Sequence, residues 1–450
     1  MVDTIIELLK DKKYSELKQS LSDVNPADFV EYLEEIPKNE LLLLFRILPK
    51  ELAAETFVEM DSDMQIVLIS AFSDKELHDM LDELFVDDAA DIIEEMPASV
   101  AKRILRQADP QTRKEINQIL AYPEDSAGSI MTTEYVDFKK DMSVEDAFVR
   151  IRKIGLDRET IYTSYVTDSR RKLLGVVTAK DLMLSDIHQT IDEIMDENII
   201  SVCTTDTKET VVQIFDKYDI LALPVVDTES RLIGIITVDD AIDVMQEEAT
   251  EDIEKMAAIT PTDKSYLKTS VFVTVKARIP WLVFLMLTAT FTGWIITAFE
   301  GYLAAQAVLI AFIPMIMNTG GNSGSQSSVT IIRSLSLGDI EFKDSFKVLF
   351  KEFRVSIICG AVLAVANYLK ILILDNLILG SNIDNLVAIV VSITLLATVI
   401  FAKIVGCLLP IGAKRIGLDP TVMASPFITT LVDTVSLLIY FTIASSILNI

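Results

Sequence analysis

The sequence predicts a multidomain membrane protein. It has an α-helical superhelical N-terminal domain, a pair of small α/β units, an acidic connector helix and a five-span α-helical membrane domain. Three observations carry that reading. The first is charge. Residues 1–263 hold 27 Lys/Arg and 58 Asp/Glu, whereas 264–450 hold 13 and 9, within a chain of net charge −27. Such asymmetry marks two physical environments. The second is length: five apolar runs after residue 279 each reach the roughly 20 residues that cross a bilayer. The third is an internal repeat at a spacing of 59 residues.

Composition excludes several function classes. A surface this acidic does not bind nucleic acid, which needs clustered Lys/Arg. Cys203, Cys359 and Cys407 are far apart, so they give neither a disulfide framework nor a thiolate metal site. His78 and His188 stand alone. No GxxxxGK[ST], HExxH or nucleophile–base pairing is present, so neither an ATPase nor another enzyme is expected. The opening MVDTIIELLKDKKYSELK has no apolar core, so no signal peptide is expected.

Residues 1–128 read as helices throughout, punctuated by Pro37, Pro49, Pro97 and Pro110. ADFVEYLEEIP (27–37) and ADIIEEMP (90–97) echo each other, which suggests stacked helices. The acids Asp87, Asp88, Asp91, Glu94 and Glu95 ordinarily form a solvated face.

The repeat occupies 129–190 and 191–245. IMTTEYVDF…GVVTAKDLM corresponds to IMDENIISV…GIITVDDAI, with Gly175, Thr178 and Asp181 matched by Gly234, Thr237 and Asp240. Short β-branched runs alternate with helical stretches, so each copy is a small α/β unit. The shared G-x-[VI]-[VI]-T-x-x-D ending resembles a pair of cystathionine-β-synthase (CBS) domains. That resemblance implies a regulatory module, often dimeric and sometimes adenosine-nucleotide-binding. Thr237 and Asp240 are then the ribose-facing candidates, and ATP the expected nucleotide.

The connector, 239–263, places Asp240, Asp243, Glu247, Glu251 and Glu254 on one helical face, with Ile242, Met245, Ala249, Ile253 and Met256 opposite. A second acidic surface against such a face repels unless cations intervene. Divalent ions that bridge the two would compact the cytosolic part and hold the connector against a pore; scarcity would release it.

The membrane domain, 264–450, has spans near 280–301, 303–333, 355–374, 386–411 and 421–448. Lys264, Lys268, Lys276 and Arg278 precede the first, Arg333, Lys343, Lys347, Lys351 and Arg354 follow the second, and Lys414 and Arg415 follow the fourth. The links near 299–303 and 375–386 have none, which predicts a plasma-membrane protein with a cytoplasmic N-terminus and an external C-terminus. Lys370 and Lys403 lie within spans, where they snorkel or face a polar interior.

Asp433 lies near the middle of the fifth span, on a stripe with Ser425, Thr429, Ser436 and Tyr440. An acid in hydrocarbon is costly and marks a functional site; a hydroxyl stripe alone serves as packing glue as readily as pore lining. The second span contains PMIMNTGGNSGSQSSV (314–329). Its glycines would break or loosen the helix, or form a GxxxG packing face, while Asn318, Asn322, Gln326 and Ser327 offer oxygen. Oxygen-only surroundings suit Mg²⁺, Ca²⁺ or Mn²⁺. One acid per chain fits hydrated Mg²⁺ held by two Asp433 carboxylates across a symmetric homodimer.

Taken together, P-x₅-G-G-N-x-G-x-Q-S and D-P-x₅-P-F-x-T-T-x-x-D, with the acidic helical domain, CBS pair and connector, resemble the MgtE family of magnesium channels over essentially the entire chain. The resemblance implies a homodimer with one central pore, Mg²⁺ selectivity, inward movement driven by the membrane potential and closure by cytosolic Mg²⁺ through a plug helix at 239–263. It assigns Asp433 to the pore and Asp419 to an acid near the plug. Ser425 stands where several members carry a pore-mouth asparagine, beside Asn318, Asn322 and Thr429. Glu59, Asp91, Glu95, Asp240, Asp243, Glu247, Glu251, Glu254 and Asp419 are the candidate sensor acids. The rival readings are a CBS-gated transporter of Co²⁺ or Mn²⁺, and a membrane receptor that transports nothing.

Overall fold

The computed structural model describes residues 2–21, 24–33, 35–262, 266–267, 269–300, 306–423 and 425–448. Lys264, Lys268 and the link at 301–305 lie outside them. The chain divides into two compact units, Met1–Met245 and Gln246–Ile450.

The first unit begins with short helices from Val2–Lys10 to Pro110–Ile119. Pro37, Pro49 and Pro97 occupy N-cap positions, and Pro110 opens the first turn behind the Asp109 cap. A missing N–H costs nothing there, so these prolines start helices. The apolar faces meet in one core through Leu17, Phe29, Phe57, Leu68 and Ile116, all essentially inaccessible to solvent.

Each CBS-like copy is a three-stranded sheet. Asp137–Phe138 pairs in parallel with Thr163–Thr167, which pairs antiparallel with Leu173–Thr178. Val202–Cys203, Ala222–Val226 and Leu232–Thr237 repeat that order. The copies are cross-stitched: Thr132, ahead of the first, bridges Ile235 in the second, and Asp196, ahead of the second, bridges Val176 in the first. A Cβ at Gly234 would sit 2.5 Å from the Thr132 carbonyl, and one at Gly175 2.7 Å from the Met195 sulfur. The repeated glycine therefore admits the crossing segment.

Among the described residues of the second unit, four helical stretches are long and apolar enough to cross a membrane: Val271–Ala298, Phe342–Ile378, Asn385–Arg415 and Pro420–Leu448. The remaining expected span is the helix Ile313–Ser336, about 36 Å long at 1.5 Å per residue but too rich in Gly, Asn and Ser to share that hydropathy. It is continuous. The glycines do not break it, and Pro314 lies in its first turn. They are a packing face instead. Added Cβ atoms at Gly320, Gly321 and Gly324 would come within 2.8 Å of Thr398, Thr429 and Ile428 respectively, and Gly406 abuts the Gly324 backbone.

The connector is the helix Val238–Met256. Its buried residues are Ala241 and Val244, whereas Ile242, Met245 and Ile253 are exposed. The apolar side expected from the sequence is therefore not its packed side.

Candidate ion pathway and acidic cluster

The glycine-rich helix packs its small residues against the last helix, Ser425–Leu448, and turns Asn318, Asn322 and Gln326 outward. The three recur every four residues and so share one face. Asn322 Nδ2 donates to Asn318 Oδ1 at 3.3 Å. Beside them, Asn322, Ser325, Gln326, Val329 and Thr330 line a groove of about 550 Å³. Ser425 donates to Ser325 at 2.8 Å, and Thr429 lies 3.4 Å from the same hydroxyl. These contacts, with Gly324 against Ile428 and Gly320 against Val432, place Asp433 level with Thr319, between Asn318 and Asn322.

Asp433 is half-buried, and its Oδ1 is shielded from solvent with no hydrogen-bond partner among the described residues. An acceptor left so costs about 1–3 kcal/mol. The expected stripe splits at this level. Tyr440 is buried and donates to the Leu309 carbonyl at 3.0 Å, and Ser436 is buried near Gly320, so both belong to packing. Asp433, Thr429 and Ser425 remain beside the polar face.

The second feature lies in the Met1–Met245 unit, where carboxylates of the helical domain meet those of the CBS pair. The helix Val86–Glu95 carries Asp87, Asp88 and Asp91. Its first amide, Val86 N, donates to Glu134 Oε2 at 2.9 Å, and Glu159 N donates to the Glu134 carbonyl. Burial pushes the Asp88 carboxyl up to about 7, with Asp240, Asp239, Glu134 and Glu59 adding to it. Burial and then Asp240 and Asp88 push Glu159 to about 8. Asp87 is pushed well above the carboxylate range by burial and then by Asp240 and Asp88, and its Oδ1 is another buried acceptor without a partner among the described residues. Asp91, open to water, is raised by its dense surroundings and Asp240, while Lys208 works the other way. Asp240 is raised to about 6 by burial, despite a bond from Thr237 that favours its charged form. The acids crowd one another, yet no three His, Cys, Asp or Glu residues among those described converge as a ligand set. Direct coordination is not preformed; a hydrated cation held through its waters suits carboxylates so spaced.

The other expected sensor residues divide. Glu59 faces this cluster from the end of Lys50–Val58; Asp243 is exposed and raised by burial and Asp239. Glu95 is exposed in the last turn of its helix, and Glu247 is exposed on the connector. In the second unit, Glu251 and Asp419 converge on one cation of the chain itself. Lys255 Nζ lies 2.5 Å from Glu251 and 2.8 Å from Asp419. Asp419 also accepts from Thr421 N at 2.8 Å. Burial alone would raise Asp419, but the bonds from Lys255 and Thr421 more than offset it. Glu254 accepts from Thr262 N, and Asp252 from Ser336.

Thr237 donates to Asp240 at 2.5 Å, and Thr178 to Asp181 at 2.6 Å, each at the start of a helix. The Asp181 amide returns a bond to Thr178, completing a capping box. The T-x-x-D ending of each repeat therefore closes a helix N-terminus. In this arrangement both ribose-facing candidates are engaged with each other.

Sequence reasoning missed Asp87, Asp88, Glu134, Glu159, Lys255 and Ser325 as site residues. The two aspartates were visible but indistinguishable from a solvated face, and Lys255, three residues beyond Asp252 in an acidic helix, was the one signal of an internal counter-ion.

Comparison with known proteins defines first the class. Residues 313–443 match the family model described as divalent cation transporter, 24–125 match the MgtE intracellular N domain, and 127–187 and 191–247 match CBS domains. The magnesium transporter MgtE of Thermus thermophilus is 35% identical over 98% of this chain and 97% of its own length. That of Bacillus subtilis is 32% identical over 99% and 97%. A crystal structure of the cytosolic domain of the Mg²⁺ channel MgtE in complex with ATP is 34% identical, covers 54% of this chain and all of its own, and has a TM-score of 0.52. The chain belongs to the MgtE family and is a multi-pass membrane protein.

Proposed function

We propose that the chain moves Mg²⁺ inward through a pore shared by two copies, and that cytosolic Mg²⁺ closes it. The carrying observation is Asp433, whose Oδ1 has no hydrogen-bond partner among the described residues and which sits on the helix packed against the one that turns Asn318 and Asn322 outward. A stripe of amides facing lipid would be unsatisfied. A second copy set against it supplies a second Asp433 and makes the groove a channel wall. Two carboxylates with amide and hydroxyl oxygens suit a hydrated Mg²⁺, and neither segment carries a thiolate or imidazole to favour Zn²⁺ or Cu²⁺. An inside-negative potential favours entry by about 2.3 kcal/mol per charge per 100 mV, twice that for a divalent ion. The basic links at 276–278, 333–354 and 414–415 support an N-terminus in the cytoplasm and a C-terminus outside.

Closure follows from the acids. As these acids ionise, the helical domain and CBS pair repel across Asp88, Asp91, Asp239, Asp240 and Glu159, and Mg²⁺ between them removes that repulsion. The connector carries Asp240 at one end and the Lys255–Asp419 pair near the other, so one helix joins sensor and membrane domain. The CBS pair is the candidate site for ATP, a relative's cytosolic domain having been solved in complex with ATP; a nucleotide ribose would compete with the Thr237–Asp240 cap.

The test is Mg²⁺ flux into liposomes while internal free Mg²⁺ is raised. Flux at low internal Mg²⁺ that falls steeply as it rises supports the reading; flux indifferent to internal Mg²⁺ removes the sensor, and no flux of any divalent ion removes the pore.

A further inference from the structure

Behind the glycine-rich helix, on the side away from the groove, lies a polar chain that the ion pathway does not use. Lys403, on the helix Asn385–Arg415, is 6% exposed. Its Nζ donates to Ser327 Oγ at 3.3 Å, and Ser327 Oγ donates to Glu352 Oε2 at 2.7 Å. Ser327 is on the glycine-rich helix and Glu352 on the helix Ser345–Lys370, so one buried hydroxyl ties three helices together.

The enclosure is informative. Glu352 lies between Lys351 and Arg354 of the basic link, near one end of its helix, whereas Lys403 is twelve residues from Arg415, about 18 Å along its own. Its head is enclosed rather than carried to solvent, so its partner is internal. The arrangement also brackets the tightest helix crossing. Lys403 precedes Gly406 by three residues and Ser327 follows Gly324 by three, and Gly406 abuts Gly324. The glycines let the helices touch but fix no register, because small residues slide; the lysine–hydroxyl–carboxylate chain does fix one.

We infer that Lys403, Ser327 and Glu352 are positioning residues: a buried clamp that sets where the glycine-rich helix lies, and so where Asn318, Asn322 and Gln326 face the ion. This rests on the pore reading above. Removing one end leaves the other buried opposite a hydroxyl that has lost a partner, whereas removing both leaves an apolar, unclamped seam.

The test uses the full chain, with Lys403→Met, Glu352→Gln, the double variant and Ser327→Ala, and two readouts. One is Mg²⁺ flux into liposomes. The other is the rate at which a water-soluble thiol reagent labels Asn322→Cys, with the three native cysteines replaced. The clamp predicts about a tenfold flux loss in each of the Lys403 and Glu352 variants, partial recovery in the double variant, and a labelling rate changed about threefold or more. Ser327→Ala removes only a hydroxyl and keeps the test usable if Lys403→Met does not fold. Flux and labelling within twofold of the parent in folded variants overturn the clamp. A parent without flux fails the pore reading instead, and labelling alone then decides the clamp.

Discussion

Replacing Asp88 by Asn should make the cytosolic unit tighter when divalent ions are absent. Asp88 is raised from an ordinary 3.8 to about 7, first by burial and then by Asp240 and Asp239. At pH 7.5, holding such a carboxylate in the cluster rather than in water costs on the order of 4 kcal/mol, because each tenfold change in proton affinity is worth about 1.4 kcal/mol. Solvent and relaxation reduce that figure, but a tenfold effect needs only about a third of it. Asn removes the charge, and with it one anchor for a cation. Hydrogen exchange of the helix Val86–Glu95 reads the result. With chelator present, Asp88→Asn should exchange at least tenfold more slowly than the parent, and millimolar Mg²⁺ should slow the parent strongly but the variant little. Faster exchange of the variant in chelator, or a parent indifferent to Mg²⁺, would refute the argument that repulsion opens the unit.

The same acids predict a pH effect. Because the closed cluster holds Asp88, Asp240 and Glu159 near 7, 6 and 8, it binds protons that separated acids do not, so its stability falls as pH rises from about 5 to 8. In chelator, exchange of that helix should accelerate across this window, and Mg²⁺ should flatten the profile. Lys255→Met should leave Asp419 and Glu251 uncompensated and raise the internal Mg²⁺ that half-closes the pore severalfold, measured by flux. Gly406→Ala should cost about 1–3 kcal/mol from overpacking against Gly324, whereas Gly293→Ala, with nothing near the added carbon, should be neutral; thermal melting in detergent compares them.

Much of this was legible in the sequence because it rests on periodicity and charge. The helical domain, the paired α/β units and the acidic connector follow from alternation, repetition and composition, and Asp433 stood out because an acid in an apolar run has few explanations. What the sequence left open was which side of an element packs. The glycines at 320, 321 and 324 fit both a broken helix and a packing face, and the approach of Asn385–Arg415 and Ser425–Leu448 selects the second. The connector's Ile242, Met245 and Ile253 looked like its buried side; burial fell on Ala241 and Val244 because their face meets the core of the second CBS copy, with Leu223 and Ile236. Asp87 and Asp88 resembled any solvated acids until Glu134 and Glu159 came against them from elsewhere in the chain. The T-x-x-D endings have capping-box spacing, completed at Thr178–Asp181, whereas the sequence pointed Thr237 and Asp240 toward a ribose.

The measurement that bears most directly on the account is Mg²⁺ uptake into liposomes at low internal Mg²⁺ and an inside-negative potential, for the parent, Asp433→Asn and Asp433→Ala. The account predicts robust uptake by the parent and a loss of about tenfold or more in both variants, since neither supplies a negative charge beside the passing ion. Uptake unchanged by either substitution, in protein that remains folded, would contradict it.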